Sequence, residues 1–187
     1  MDAFREELTQ TIPSLRAFAR SLARGDDAFA DDLVQDTCVN ALRAQDQFTP
    51  GTNLKAWLFT ILRNRFRSLA KHRKVRAEDP DDDLDRMVTG PAPQQGRLEM
   101  IAFRRAFAAL RVEYREALEL AVVHGLSYED IARICDCRVG TVKSRVSRAR
   151  ERLREALYDG PEREASGSRG DDESDPVATR LMAEPPR

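Results

Sequence analysis

Two stretches of the sequence concentrate positive charge, and each contains residues that could bind a nucleic acid. Residues 55–76 hold eight Lys or Arg and no acid, and residues 138–154 hold seven Lys or Arg and one Glu. The whole 187-residue chain is almost neutral, with a formal net charge of -1. Basic segments set among acidic ones are typical of separate surfaces for a polyanion. We therefore expect two nucleic-acid-binding surfaces on one chain.

The first basic stretch has the composition of a site for unpaired bases. Its cations are interleaved with Trp57, Phe59 and Phe66, whose faces can stack on bases while the cations follow the backbone. Asn64 stands between two arginines, and its amide can both donate to and accept from a base edge. Trp57 also falls at helical spacing with several aliphatic residues, so burial in a core is the ordinary alternative for it.

The second basic stretch predicts a helix with three different faces. Apolar residues recur at steps of four, three and four and form the inner face: Val142, Val146, Ala149 and Leu153. The outer face carries polar and charged residues: Ser144, Ser147, Arg148 and Glu151. Cations lie on the flanks: Lys143, Arg145, Arg150 and Arg152. Such a helix can enter a DNA major groove, reading base edges with its outer face and contacting phosphates with its flanks. A solvated basic helix is the alternative.

A helix-turn-helix is predicted around this helix. The sequence indicates a short helix over Tyr128–Ile134, a turn over Cys135–Arg138 and a second helix from Val139 or Thr141. Ser127, three residues before Asp130, fits the capping pattern of a helix N-terminus. Four apolar residues are expected to form the shared core: Ile131, Ile134, Val139 and Val142.

An acidic cluster is predicted on the outside of an earlier helix, between residues 28 and 45. The inner stripe of that helix is made of small or apolar residues: Ala30, Val34, Thr37, Cys38 and Ala41. The opposite side carries Asp32, Gln35, Asp36 and Val39. An outward valine among acids suits docking on a basic protein surface. A solvated helix face is an equal alternative.

The elements that carry these residues are all predicted to be helical. Charged residues make up 34% of the chain and aromatic residues 6%, a balance that favours short amphipathic helices. A break is expected at Gly25–Asp27, a helix cap at Asn53, and renewed helical periodicity near Leu98. Residues 78–96 contain six acids, three prolines and two glycines, the composition of a flexible linker. We expect an all-α fold with two small helical domains in this order: a first domain over 1–76, an acidic linker over 77–97, a helix-turn-helix domain over 98–158 and a disordered tail over 159–187.

Composition also argues against several classes of protein. No apolar run approaches the roughly 20 residues needed to cross a bilayer, and the segment MDAFREELTQ lacks a basic and apolar leader, so we expect no membrane partner and a cytoplasmic location. Cys135 and Cys137 would need zinc ligands from both domains, because the chain has only one other Cys and two His. We expect no metal and no cofactor. The sequence has no phosphate-binding loop and no nucleophile with a base, so neither an enzyme nor a small-molecule substrate is expected.

The chain resembles a known family in three segments. DDLVQDTCVNALRAQDQF (31–48), PGTNLKAWLFTILRNRFRSLAKHRK (50–74) and SYEDIARICDCRVGTVKSRVSRARERL (127–153) look like regions 2.2, 2.3 to 2.4, and 4.2 of bacterial extracytoplasmic-function (ECF) sigma factors. The resemblance covers about residues 10–157. IPSLRAFARSL (12–22) together with PGTNLKAWLFTILRN (50–64) is most similar to the EcfG-type branch, which runs a general stress response.

The resemblance implies a subunit that binds core RNA polymerase and directs promoter-specific transcription initiation. It implies that Asp32, Gln35 and Asp36 dock on the β′ clamp, and that the chain also contacts the β subunit. Val39 joins this docking set because of its outward position beside the acids. The resemblance implies contact with melted DNA of the -10 element by Trp57, Arg63, Asn64, Arg65, Arg67 and Lys71, with Asn64 matching a position that contacts a flipped-out base. It implies that duplex DNA of the -35 element is read by Lys143, Ser144, Ser147 and Arg148. The phosphate contacts expected from the flanks of this helix are Arg145, Arg150 and Arg152. A NepR-like anti-sigma factor would clamp both domains, and a PhyR-like regulator would relieve it.

The sequence departs from the family pattern at two places. Asp136 stands in the helix-turn-helix turn where Gly is common, and Asp tolerates a left-handed backbone better than most residues. Val112 and Glu113 replace a Pro-containing helix start. Two other functions stay open from the sequence: a sigma-like decoy domain that captures an anti-sigma factor, and a helix-turn-helix repressor. The decoy is disfavoured because the recognition helix keeps its cations, and the repressor leaves the aromatic-basic segment unexplained.

Overall fold

The structure, a computed structural model, describes residues 2–74 and 94–158, with side chains described over 3–70 and 99–158. In these ranges the α-helices are α1 (Asp2–Ala23), α2 (Asp27–Arg43), α3 (Leu54–Lys74), α4 (Gln94–Ala109), α5 (Val112–Val122), α6 (Tyr128–Cys135) and α7 (Val139–Tyr158), with a 3₁₀-helix at Gln45–Gln47. The predicted all-α fold is confirmed for this part of the chain. The predicted tail over 159–187 and most of the predicted linker lie outside the described residues.

Two compact units divide the chain. The described helices of the first unit are α1, α2 and α3, with Ala132–Asp136 also assigned to it. The second unit contains α4, α5, the start of α6 and α7. Helix α4 begins at Gln94, four residues before the predicted resumption at Leu98, because Gln94, Gln95 and Arg97 are good helix formers and extend the helix toward its N-terminus. The predicted domain boundaries stay predictions.

Helices α1, α2 and α3 enclose the core of the first unit. The rings of Phe18 and Phe59 lie at its centre, edge to face at 5.2 Å between centroids. The predicted break between the first two helices is confirmed, since Arg24 and Gly25 have φ angles of 53° and 94°. Helix α2 is then capped by Asp26, whose Oδ1 accepts from the Phe29 N–H at 2.9 Å.

The third helix begins where the sequence predicted a cap. The Asn53 side chain accepts from the Ala56 N–H at 3.0 Å and satisfies one of the free N–H groups of the first turn of α3. Gly51, with φ of 85°, occupies the preceding turn, a left-handed conformation that favours glycine. This turn fixes the direction of α3 and therefore the placement of its basic outer surface.

Along the chain, α6 and α7 follow the predicted order of short helix, turn and long helix. The Asp130 N–H donates to Ser127 Oγ at 3.1 Å, which confirms the predicted cap of α6. Asp136 has a φ of 49°, so the turn survives with a left-handed aspartate where the family often has glycine. Helix α7 then begins at Val139, the earlier of the two predicted starts. Helix α7 therefore has one long face that points away from the core.

Candidate docking and nucleic-acid interfaces

Helix α2 has a fully buried inner face and an acidic outer one. Five residues along its length are buried: Ala30, Leu33, Val34, Thr37 and Ala41. The buried hydroxyl of Thr37 donates to the Leu33 carbonyl at 2.7 Å, so the one polar group on this face is satisfied within the helix. Because the inner face is filled by small and aliphatic side chains, the opposite residues of α2 must face outward.

The outer face of α2 holds the predicted docking residues and one that the sequence prediction missed. Asp32 and Gln35 are exposed, Asp36 is half-buried, and Val39 is 38% exposed. Leu42, three residues beyond Val39, is 44% exposed and extends the apolar part of the surface. The helical spacing of Val39 and Leu42 is the signal that could have identified it. We call these five residues the docking face.

One member of the docking face pairs with a predicted DNA contact. Arg65 Nε on α3 donates to Asp36 Oδ2 on α2 at 2.8 Å, with the side chains 39% and 42% exposed. The sequence prediction assigned these two residues to different partners. The ion pair therefore joins the predicted polymerase surface to the predicted -10 surface through a single contact.

The outer surface of α3 exposes part of the predicted -10 set. Asn64 and Arg67 are exposed, and Arg65 is half-buried by its pair with Asp36. Lys71 lies on α3, but its side chain is outside the described residues. Asn64 therefore has its side-chain amide at the surface, and a base-edge contact requires an accessible amide of this kind.

The aromatic residues of α3 have different environments. Phe59 is fully buried, so its proposed role as a base-stacking platform is wrong: its ring fills the core against Phe18. Trp57 is half-buried in a cluster with Phe4 and Phe48, at 6.2 and 5.5 Å between ring centroids. Phe66 is half-buried, with its ring 6.2 Å from that of a residue on α2, Phe29. Of these three aromatic rings, only parts of Trp57 and Phe66 are therefore exposed at the surface.

Arg63 occupies an unexpected environment for a DNA contact. Its side chain is buried, at 5% exposure. Position 63 follows Phe59 by four residues and therefore lies on the same inward side of α3. A buried guanidinium is not accessible to DNA, so Arg63 remains a proposed contact only for a conformation in which it is uncovered.

Helix α7 separates an apolar inner face from a polar outer face as predicted. Its inner face is buried to 2% exposure or less: Val142, Val146, Ala149 and Leu153. The outer residues are exposed: Ser144, Ser147, Arg148 and Glu151. Of the predicted flank cations, Lys143 and Arg152 are exposed, and Arg145 and Arg150 are half-buried. The burial pattern fixes the rotation of α7 about its axis, and that rotation leaves Ser147 and Arg148 at the surface.

Two of the α7 side chains also make local contacts. The Ser144 hydroxyl donates to the Thr141 carbonyl at 2.9 Å, which leaves its oxygen free to accept but engages its proton. Arg145 Nη1 lies 3.9 Å from Cys137 Sγ in the helix-turn-helix turn. Arg145 is therefore drawn toward the turn at the N-terminal end of α7, while Arg148 lies farther along the outer face.

A cluster of arginines around a tyrosine was not predicted. Arg148 donates a hydrogen bond to the hydroxyl of Tyr114 on α5. The guanidinium carbons of Arg152 and Arg111 lie 5.7 and 6.0 Å from the centroid of the same ring. The hydrogen bond from Arg148, followed by the positive charges of the three arginines, lowers the pKa of the Tyr114 hydroxyl from its ordinary value. No periodicity within one helix could indicate this cluster, because its residues lie on two helices.

The described residues contain no group of three or more His, Cys, Asp or Glu side chains that could hold a metal ion. Cys38, Cys135 and Cys137 form no disulfide bond. Burial raises the pKa of the Cys38 thiol. None of the described helices is long and apolar enough to cross a membrane.

Two protein-family models match the chain, one in each half. The family described as Sigma-70 region 2 matches residues 8–76, and Sigma-70, region 4 matches residues 100–153. The sequence is 49% identical, over 162 residues, to the ECF RNA polymerase sigma factor EcfG of Rhodopseudomonas palustris (strain TIE-1). That match covers 86% of this chain and 89% of the relative.

Solved structures that resemble the chain include RpoE and CnrH, each in complex with another protein. The sigma factor RpoE, in complex with the anti-sigma factor NepR from Bartonella quintana, is 47% identical with a TM-score of 0.70. The match covers 84% of this chain and 98% of RpoE. CnrH, in complex with the cytosolic domain of CnrY, is 30% identical with a TM-score of 0.60, covering 84% of this chain and 88% of CnrH.

Proposed function

The chain belongs to the ECF sigma factors of the sigma-70 family, and on that premise we propose that α2 binds core RNA polymerase while α3 and α7 bind the two promoter elements. The observation that carries this assignment is the rotation of α7. Its apolar residues are buried to 2% exposure or less, and Ser147 and Arg148 on the opposite side are exposed. A helix held in that way presents polar and cationic side chains to a major groove.

In this proposal the -35 element is read by the outer face of α7. Arg148 and Ser147 contact base edges, and Lys143 and Ser144 contact the adjacent positions. Arg145, Arg150 and Arg152 neutralise phosphates and so contribute affinity without selecting a sequence. Ser144 serves as an acceptor, because its proton is engaged by the Thr141 carbonyl.

The -10 element is opened and held by α3. Asn64 contacts a base that has left the stack, and Arg67 and Lys71 follow the phosphate backbone of the melted strand. The exposure of Asn64 supports this role, since only an accessible amide can pair with a base edge. Trp57 contributes through the uncovered part of its ring, and Arg65 contributes when its pair with Asp36 opens.

Core polymerase binds the docking face on α2. Asp32, Gln35 and Asp36 meet a basic surface of the β′ clamp, while Val39 and Leu42 supply apolar contact beside the charges. Val39 and Leu42 are exposed to 38% and 44%, although the inner face of the same helix is fully buried. The protein would act in the cytoplasm, where bacterial RNA polymerase transcribes.

Control by an anti-sigma factor is part of the proposal. RpoE, 47% identical to this chain, was solved in complex with NepR, and CnrH was solved with CnrY. A NepR-like protein would hold this chain away from polymerase by covering surfaces used for docking or for DNA. Core polymerase and the NepR-like protein should therefore compete for it.

Holoenzyme formation tests the docking step. Purified protein carrying a fluorophore is titrated with core RNA polymerase and followed by anisotropy, then challenged with a NepR-like protein. Saturable binding that the NepR-like protein reverses is expected. Full-length, folded protein that fails to bind core polymerase would refute the proposed function. A decoy domain would bind the NepR-like protein but fail to bind polymerase.

A further inference from the structure

Helix α5 carries a tyrosine that the proposed promoter contacts do not use. Tyr114 lies in the first turn of α5, within the same compact unit as α7, and its side chain is half-buried. Three arginines converge on it: Arg111 at the N-terminus of α5, and Arg148 and Arg152 one turn apart on α7. Two of these three, Arg148 and Arg152, are proposed promoter contacts, so the tyrosine adjoins the proposed DNA-binding surface.

The hydroxyl and the ring of Tyr114 engage different arginines. The hydroxyl accepts a hydrogen bond from Arg148. The ring lies under the guanidinium of Arg152, at 5.7 Å from its centroid to the guanidinium carbon, within the range of a cation–π contact. A substitution that removes the hydroxyl and keeps the ring therefore separates the two contacts.

Such a contact helps an arginine to read a base, because it orients the side chain before DNA binds. Its side chain is long and its guanidinium is a rigid planar fork, so the plane of the fork must be oriented before it can form paired hydrogen bonds with a base edge. A free arginine loses rotamer freedom when it is immobilised on DNA. One N–H held by Tyr114 orients the plane and leaves four other donors of Arg148 for DNA.

We propose that Tyr114 is a positioning residue for promoter recognition, holding Arg148 in the orientation that reads the -35 base edge and steadying Arg152 against its ring for a phosphate contact. This inference rests on the proposed function of Arg148. The hydroxyl then affects base preference, and the ring affects affinity for DNA of any sequence. Tyr114 itself touches no base.

The first experiment measures promoter selection by holoenzyme. Binding is determined over single-base variants of the -35 element for wild type, Tyr114→Phe, Tyr114→Leu, Arg148→Ala and the double variant Tyr114→Phe/Arg148→Ala. Tyr158→Phe is the matched control, because Tyr158 is an exposed tyrosine at the far end of α7. Thermal unfolding of each protein shows whether it is folded.

Tyr114→Phe should reduce discrimination at the base read by Arg148 by about two- to tenfold, the effect of one hydrogen bond. Its affinity for the other variants and its salt dependence should match wild type. Tyr114→Leu should also weaken every promoter, since the Arg152 contact is lost with the ring. The double variant should discriminate no less than Arg148→Ala alone, because the tyrosine acts only through that arginine.

The second experiment observes the pair without DNA. Ultraviolet difference spectra of wild type against Tyr114→Phe isolate the ionisation of Tyr114 in the free protein. The pKa of Tyr114 should rise toward its ordinary value in Arg148→Ala and stay unchanged in a substitution of Glu151, which is exposed on the same helix.

Each failure points to a different step. An unchanged Tyr114 titration in Arg148→Ala would overturn the proposed pair whatever the promoters show. Full discrimination by Tyr114→Phe, when Arg148→Ala has lost it, would overturn the positioning role and leave the promoter function intact. If Arg148→Ala keeps full discrimination, the base-reading assignment fails and the positioning role fails with it, even though polymerase binding by α2 would stand.

Discussion

Reversing the charge of Asp36 should weaken both core polymerase binding and folding, and the two effects can be separated. Asp36 Oδ2 accepts from Arg65 Nε at 2.8 Å, with the two side chains 42% and 39% exposed. In Asp36→Arg a guanidinium replaces the carboxylate, so an attractive pair becomes a repulsive one. The same change removes an acid from the docking face.

The cost to folding follows from the exposure of the pair. An ion pair this accessible to solvent contributes about 0–1 kcal/mol, and two like charges about 4 Å apart in water repel by about 1 kcal/mol. The expected loss is therefore about 1–2 kcal/mol, a change of roughly five- to thirtyfold in the folding equilibrium constant. A protein of ordinary stability stays folded after a loss of this size.

The double variant Asp36→Arg/Arg65→Asp restores an opposite-charge pair with its direction reversed. Its unfolding free energy should return to within about 0.5 kcal/mol of wild type. Its affinity for core polymerase should remain low, because position 36 still presents a cation to the basic clamp. Removal of the Asp36 carboxylate, and not a loss of folding stability, would then be the cause of the weaker polymerase binding.

A second ion pair on α2 provides the matched control. Asp31 accepts from Arg16 at 3.0 Å, with the side chains 54% and 50% exposed, and it is not part of the docking face. Asp31→Arg should show a similar loss in denaturant unfolding and unchanged polymerase binding by fluorescence anisotropy. Full recovery of polymerase binding by the Asp36/Arg65 double reversal would refute the docking role of Asp36 and show that its contribution is structural.

Three further changes have definite expected outcomes. Asn64→Ala should impair opening of the -10 region, measured by permanganate footprinting, more than recruitment to duplex promoter, measured by gel shift, because a flipped base is contacted only after opening; unchanged footprinting would remove Asn64 from the site. Arg148→Ala should cost about 1–3 kcal/mol at one or two -35 positions, whereas Arg150→Ala should weaken all promoters equally and lower the salt dependence by about one counterion; the reverse pattern would mean that α7 is rotated. Because burial raises the pKa of Cys38, this thiol should be less ionised than a free cysteine at neutral pH. Its alkylation, followed by mass spectrometry, should therefore be slower than that of free cysteine and should accelerate as the pH is raised. An alkylation rate equal to that of free cysteine would contradict the raised pKa.

Features that repeat along one helix were predictable from the sequence. The faces of α7 follow from apolar residues at steps of three and four, and the burial of Val142, Val146, Ala149 and Leu153 confirms them. The caps at Asn53 and Ser127 follow from local side-chain chemistry and form as predicted. Each of these depends on neighbours within four residues, so no knowledge of the tertiary arrangement is needed.

Contacts between helices were not predictable in the same way. The Asp36–Arg65 pair depends on how α2 lies against α3, and the Tyr114–Arg148 pair on how α5 lies against α7. Composition alone could not show which of Trp57 and Phe59 is buried. Residues two apart on a helix lie on nearly opposite sides, and of these two only Phe59 is fully buried. These outcomes are set by packing, which a single-helix pattern does not contain.

Run-off transcription by core RNA polymerase supplemented with this protein is the most direct test of promoter-directed initiation. On templates whose -10 and -35 elements come from mapped transcript starts, wild-type protein should give discrete transcripts that core polymerase alone does not make. Arg148→Ala should shift which -35 variants are used, and Asp36→Arg should reduce transcripts from all of them. Folded wild-type protein that binds promoter DNA but gives no specific transcript with core polymerase would contradict the function proposed for this chain.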